Sequence, residues 1–165
     1  MMTIKLSIVL DHKIDIFREI NICSDSTLFT LHKYIVEIFN LEKNEMAAFY
    51  HTDDDWEQGQ EIPLVSMRKN EKEMKDFFLC DIFTTEQRLL YVNNFLLMWR
   101  FMIEVTEVDD KNIIKQPVTV LSYGTLPKES PNIQFISDSD NFLEEDDLYD
   151  DGFDEFNEFE NYEGY

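Results

Sequence analysis

The chain has 165 residues, 44% of them hydrophobic, and a formal net charge of −21. That length and apolar content suit one domain with a substantial core. The acid excess argues against nucleic-acid binding and against an anionic membrane surface, because both need clustered Lys and Arg, and the four arginines are dispersed.

Residues 3–10 alternate, with Ile4, Leu6, Ile8 and Leu10 on one face. Asp11-His12-Lys13 interrupts the alternation, and Ile14, Ile16, Ile20 and Ile22 resume it. Two alternating runs around a short polar break predict a β-hairpin. The segment Ser26 to Asn40 then changes period. Leu28, Leu31, Ile35, Ile38 and Phe39 fall on one stripe of a helix, with His32, Lys33 and Glu37 assigned to the other side. Ser24, Asp25 or Ser26 is the expected N-cap, and Asn40 the expected stop. A lone helix this short is marginal in water, so it needs a surface to pack on.

Glu45 to His51 reads as a short strand, and HTDDDWEQG (51–59) as an acidic loop. Residues 66–76 are charged and irregular or weakly helical. Leu79, Ile82 and Phe83 allow one helical turn. Leu89 to Phe95 and Trp99 to Val105 are the strongest strand signals of the second half and predict a hairpin turning near Asn94 to Met98. Val118 to Leu121 adds an edge. Gly124, Pro127 and Pro131 mark a loop. The element order predicts an α+β fold in two layers: an antiparallel sheet of hairpins with one main amphipathic helix on one face.

Charge divides the chain further. Residues 138–165 hold thirteen acids and no Lys or Arg; residues 1–137 hold 22 acids against 14 bases, a net of −8. The expected organisation is a single domain over 1–137 followed by an acidic, aromatic tail over 138–165, disordered or docking. Cys23 and Cys80 stand outside any metal-binding or redox spacing and read as free thiols of a reducing compartment. The N-terminus lacks the pattern of a signal peptide, and no window approaches a membrane span, so a cytoplasmic location is expected.

FREINI (17–22), TLFTLHKYIVEIFN with its Leu-His pair, AFYHTDDDWEQGQEIPLVSM and LLYVNNFLLMWRFMIEV together resemble the plasmid pRi ORF-three-like family, which includes insertion-element passenger proteins of TnpR type. The DDDWE-x-x-x-EI-x-L segment resembles the branch found in Bacteroidetes. The resemblance spans roughly residues 3–128. It implies an α+β fold and a bacterial cytoplasmic protein, and no established activity. The family commonly reads Tyr-Asp-Phe-Gly-Asp-x-Trp-x-His in its late hairpin. Here Phe95 and Trp99 match, while Asn94, Leu97 and Phe101 replace the two acids and the histidine. A resolvase-like activity also lacks its chemistry, which requires a nucleophilic Ser among arginines.

Candidate binding positions are few. Asp53, Asp54 and Asp55 offer carboxylates to a hard cation, but neighbouring residues point apart and the calcium-loop spacing fails at Gln58 and Leu64. The competing reading is an Asp-rich turn packed down by Trp56. A second calcium-loop pattern runs from Asp147 to Glu158 with Gly152 at its turn, although Tyr149 replaces a ligand. His12, His32 and His51 read as surface histidines, with His32 kept as the one helical position to test. Phe153, Phe156, Phe159 and Tyr162 recur every third residue among acids, a pattern suited to docking on a basic, apolar groove.

No catalytic residue, metal or cofactor is expected. The leading function is a non-enzymatic protein-interaction module with a protein partner. The alternatives are a nucleic-acid-mimicking decoy for a DNA-binding protein, and a metal-dependent enzyme using the acids from Asp53 to Glu57.

Overall fold

The computed structural model describes residues 1–128. The tail, with Phe153, Phe156, Phe159, Tyr162 and the pattern from Asp147 to Glu158, lies outside the described residues. So does the end of the expected domain, 129–137.

Among the described residues, seven antiparallel strands and two α-helices make the fold α+β. The strands are β1 (Thr3–Leu10), β2 (Phe17–Cys23), β3 (Ala47–His51), β4 (Glu61–Pro63), β5 (Arg88–Asn93), β6 (Trp99–Asp109) and β7 (Val118–Tyr123). The helices are α1 (Leu28–Ile38) and α2 (Leu79–Thr85), with a 3-10 turn at Met74–Asp76. The sheet order is β4-β3-β5-β6-β1-β2-β7. The expected strand at 45–51 and the edge at 118–121 are both present, slightly shifted.

Alternation explains the sheet. In β1, Ile4, Leu6, Ile8 and Leu10 are buried while Lys5, Ser7 and Val9 are half-exposed. Opposite them, Ile20 and Ile22 of β2 and Phe101 and Ile103 of β6 face the same way. The chain leaves β2 and reaches β3 through α1, crossing from one side of the sheet toward the other. Leu28, Leu31, Ile35 and Phe39 enter one core with Leu6, Ile8, Tyr91 and Phe101. The Phe39 and Phe101 rings lie 4.6 Å apart and tilted, a favoured aromatic geometry.

The ends of α1 follow from local chemistry. The N-cap is Thr27, not the expected Ser24, Asp25 or Ser26. Its Oγ1 accepts the Thr30 amide at 3.2 Å. Ser24 is occupied elsewhere, its Oγ accepting the Met2 amide at 2.9 Å. Asn40 ends the helix as expected, with φ of 57°. The Asn40 amide bonds Glu37 O at 3.2 Å and the Leu41 amide bonds Val36 O at 2.9 Å, the paired bonds of a Schellman stop. Both cysteines are unpaired. Among the described residues no helix is long and apolar enough to cross a membrane.

Candidate ligand-binding cleft

His32 overturns its sequence reading. It is 8% exposed, not a surface residue. It lies four residues after Leu28 and three before Ile35, so it belongs to the buried stripe rather than the opposite side. Its Nδ1 lies 2.7 Å from the Tyr91 hydroxyl. Tyr91 faces the helix because it alternates with Leu89 and Asn93 along β5. The Asn93 Nδ2 donates to the same hydroxyl at 2.9 Å.

The phenol oxygen accepts from Asn93, and donating its own hydrogen to His32 Nδ1 gives that buried hydrogen an acceptor, whereas a proton on Nδ1 would leave it without one among these three side chains. In that arrangement His32 carries its proton on Nε2. Burial, with Lys33 adjacent, lowers the His32 pKa from 6.5 to about 4. The ring is therefore neutral at neutral pH. Burial raises the Tyr91 phenol well above its ordinary value, opposed in part by the Asn93 bond. Asn93 is 1% exposed, and its Oδ1 is buried without a hydrogen-bond partner.

His32 and Asn93 line a cleft of about 850 Å³ beside α1. Its apolar walls come from Phe29, Val36, Leu41, Met46, Leu64 and Val65. Lys33, Lys43, Glu37, Glu42 and Glu45 stand around them. The Lys33 ammonium lies 4.9 Å from the centre of the Phe29 ring, a cation–π distance. A second cleft of about 380 Å³ shares Met46 and Val65 with the first and continues toward Met67 and Phe95.

The acidic loop between β3 and β4 is built differently. Asp53 Oδ1 accepts the amides of Asp55 at 2.9 Å and Glu57 at 3.2 Å. Asp54 is exposed, its carboxylate 3.7 Å from Arg88, and Arg88 also donates to the Asp54 carbonyl at 2.7 Å. The Arg88 guanidinium lies 4.9 Å from the centre of the Trp56 ring. Arg100 donates to the Trp56 carbonyl at 3.0 Å and to Asp11 at 2.7 Å. Arg88 and Arg100 share one sheet face with Leu90, Val92 and Met102. The loop is thus held at both ends of that patch, and Leu90 and Val92 are buried there. The loop returns to β3 at Gly59, where a Cβ would lie 2.7 Å from the His51 carbonyl oxygen. Trp56 therefore anchors a turn, and the three Asp residues are not gathered with other ligands. Among the described residues no group of three His, Cys, Asp or Glu could hold a metal.

The other histidines stand apart from His32. His12 accepts the Ile14 amide at 3.2 Å in the β1–β2 connection, and His51 pairs with Glu86 at 2.5 Å. Sequence reasoning missed Tyr91, Asn93 and the two arginines. Strand parity was the available signal for Tyr91 and Asn93, since two polar groups alternate there on the core-facing side of an apolar strand.

A fold of this kind, with an open cleft over a buried polar floor, defines neither a ligand nor a reaction by itself. The family model of the plasmid pRiA4b ORF-3-like proteins matches residues 2–144, and the chain belongs to that family. The fold is similar to the crystal structure of a protein of unknown function from Methanosarcina mazei Go1, with a TM-score of 0.65 and 18% identity. That likeness covers 91% of this chain and 86% of the other. No curated protein matches the chain.

Proposed function

We propose that this chain is a non-catalytic binding module whose cleft beside α1 takes up a short, largely apolar protein segment flanked by basic residues. The observation that carries the reading is the cleft itself, with apolar walls and a buried polar floor that is only partly satisfied. A floor of that kind fixes the orientation of a ligand whose affinity comes from the walls.

Three features favour a protein segment. The cleft continues into a second one through Met46 and Val65, a length suited to an extended chain rather than a compact molecule. Methionines along it are adaptable apolar contacts. The net charge of −21 favours encounter with a basic partner. The acidic stretch 138–165, with Phe153, Phe156, Phe159 and Tyr162, is in this reading an accessory contact. Binding suits the floor better than proton transfer, because burial holds His32 and Tyr91 neutral at neutral pH and shifts both pKa values away from it.

Selection of displayed random peptides on the full-length protein tests this. Peptides with apolar centres and Lys or Arg flanks are expected, and Val36→Asp should weaken them at least tenfold. Failure to select any peptide, or equal binding to wild type and Val36→Asp, overturns the reading.

A further inference from the structure

We propose that the floor of the cleft recognises a neutral carboxamide, such as an Asn or Gln side chain of the bound segment. Asn93 Oδ1 would accept the amide N–H, and His32 Nε2–H would donate to the amide carbonyl. This rests on the cleft being the binding site.

The chain of bonds through Tyr91 sets the polarity of both groups. Asn93 spends its Nδ2 on the Tyr91 hydroxyl at 2.9 Å, which leaves Oδ1 as a buried acceptor without a partner. His32 spends its Nδ1 on the same hydroxyl at 2.7 Å, which leaves Nε2 outside that bond, as the donor when Nδ1 accepts the Tyr91 hydrogen. One oxygen atom holds both side chains, so the acceptor and the donor belong to one bonded unit of the floor. An acceptor beside a donor is the complement of a planar amide, which carries N–H and C=O side by side. Both residues line the cleft.

A carboxylate fits poorly. It has no hydrogen to give Asn93 Oδ1 and would set its charge against that oxygen. The neutral imidazole offers no compensating charge. An ammonium could donate to Asn93 but would face the His32 N–H with another donor. The buried Oδ1 is the reason discrimination should be large: a group that leaves it unpaired keeps the cost of a buried orphan polar atom, whereas one that bonds it removes that cost. Structural burial alone gives no reason for a 1%-exposed amide to keep one end without a partner.

The test uses two small molecules of nearly equal shape, propionamide and propionate, titrated into the isotope-labelled full-length protein. Resonances of the His32 ring and the Asn93 side-chain amide are followed by NMR. Saturable shifts at both residues with propionamide, at least tenfold larger than with propionate at equal concentration, are expected. Asn93→Leu should abolish the preference. Equal responses to the two compounds, or propionamide shifts confined to other residues, overturn the inference without any need for a variant to fold. The outcomes also separate the two proposals. Peptides that depend on Val36 but tolerate Glu in place of Gln at their anchor leave the binding module intact and remove the carboxamide. Propionamide recognition without any selected peptide leaves the floor intact and removes the protein partner.

Discussion

The two faces of the sheet across β3, β5 and β6 handle polar groups in opposite ways. On the loop face, Arg88 meets Glu104, the Asp54 carbonyl and the Trp56 ring, while Arg100 meets Asp11 and the Trp56 carbonyl. Asp53 satisfies two amides of its own loop. On the helix face, His32 and Asn93 share the Tyr91 hydroxyl and leave an acceptor with no partner beneath an open cleft. The loop face is rich in charge and self-contained. The helix face is neutral at its buried floor and incomplete there. Conspicuous charge is a weaker sign of function than a buried group with unused bonding capacity, because the second has a cost that folding alone does not require.

The comparison breaks first at Tyr91. Its ring packs 4.8 Å from Phe49 and 5.8 Å from Phe101, so Tyr91→Ala should cost about 3–5 kcal/mol in denaturant unfolding. Tyr91→Phe keeps the ring and strands the His32 and Asn93 nitrogens, at about 1–3 kcal/mol. Equal stability of Tyr91→Phe and wild type would mean that the floor is not a bonded unit.

Acid gives a smaller and more specific effect. The folded His32 titrates at about 4 and the unfolded one near 6.5. Between those values the unfolded chain binds a proton that the folded chain does not. The His32 contribution is therefore complete above pH 6.5 and is lost as pH falls toward 4. The loss is roughly 3 kcal/mol when complete. Denaturant titrations of wild type and His32→Gln between pH 6.5 and 5, above most carboxylate titration, should show the slope in wild type alone.

The smallest effects belong to the loop face. Arg100→Ala loses the Trp56 and Asp11 bonds and should cost about 1–2 kcal/mol while leaving propionamide binding unchanged. Asp54→Asn, at a fully exposed carboxylate, should leave the melting temperature where it is. A change in cleft binding with Arg100→Ala would show that the two faces are coupled.

Much of the fold was legible because its causes are local. The alternation of Ile4, Leu6, Ile8 and Leu10, the stripe of α1 and the stop at Asn40 need only residues a few positions apart. The order of strands was not legible, since β7 pairs with β2 at one edge and β4 with β3 at the other. His32 was legible in part. Its spacing from Leu28 and Ile35 places it on the buried stripe, but a histidine is ordinarily assigned to solvent. What makes its burial tolerable is Tyr91, 59 residues away.

By itself the sequence determined the periods, the helix stop, the acidic balance and the membership in a family whose motifs run through the body. Tertiary structure alone decided which polar groups are spent and which are left over. The Asp residues of the loop look available in sequence and are consumed by their own turn or lie exposed beside Arg88. Asn93 looks like one more strand residue and becomes a buried acceptor with nothing to accept from. Whether a hydrogen-bonding group is satisfied depends on atoms brought together by pairing β3, β5 and β6 and laying α1 across them, and no local pattern carries that information.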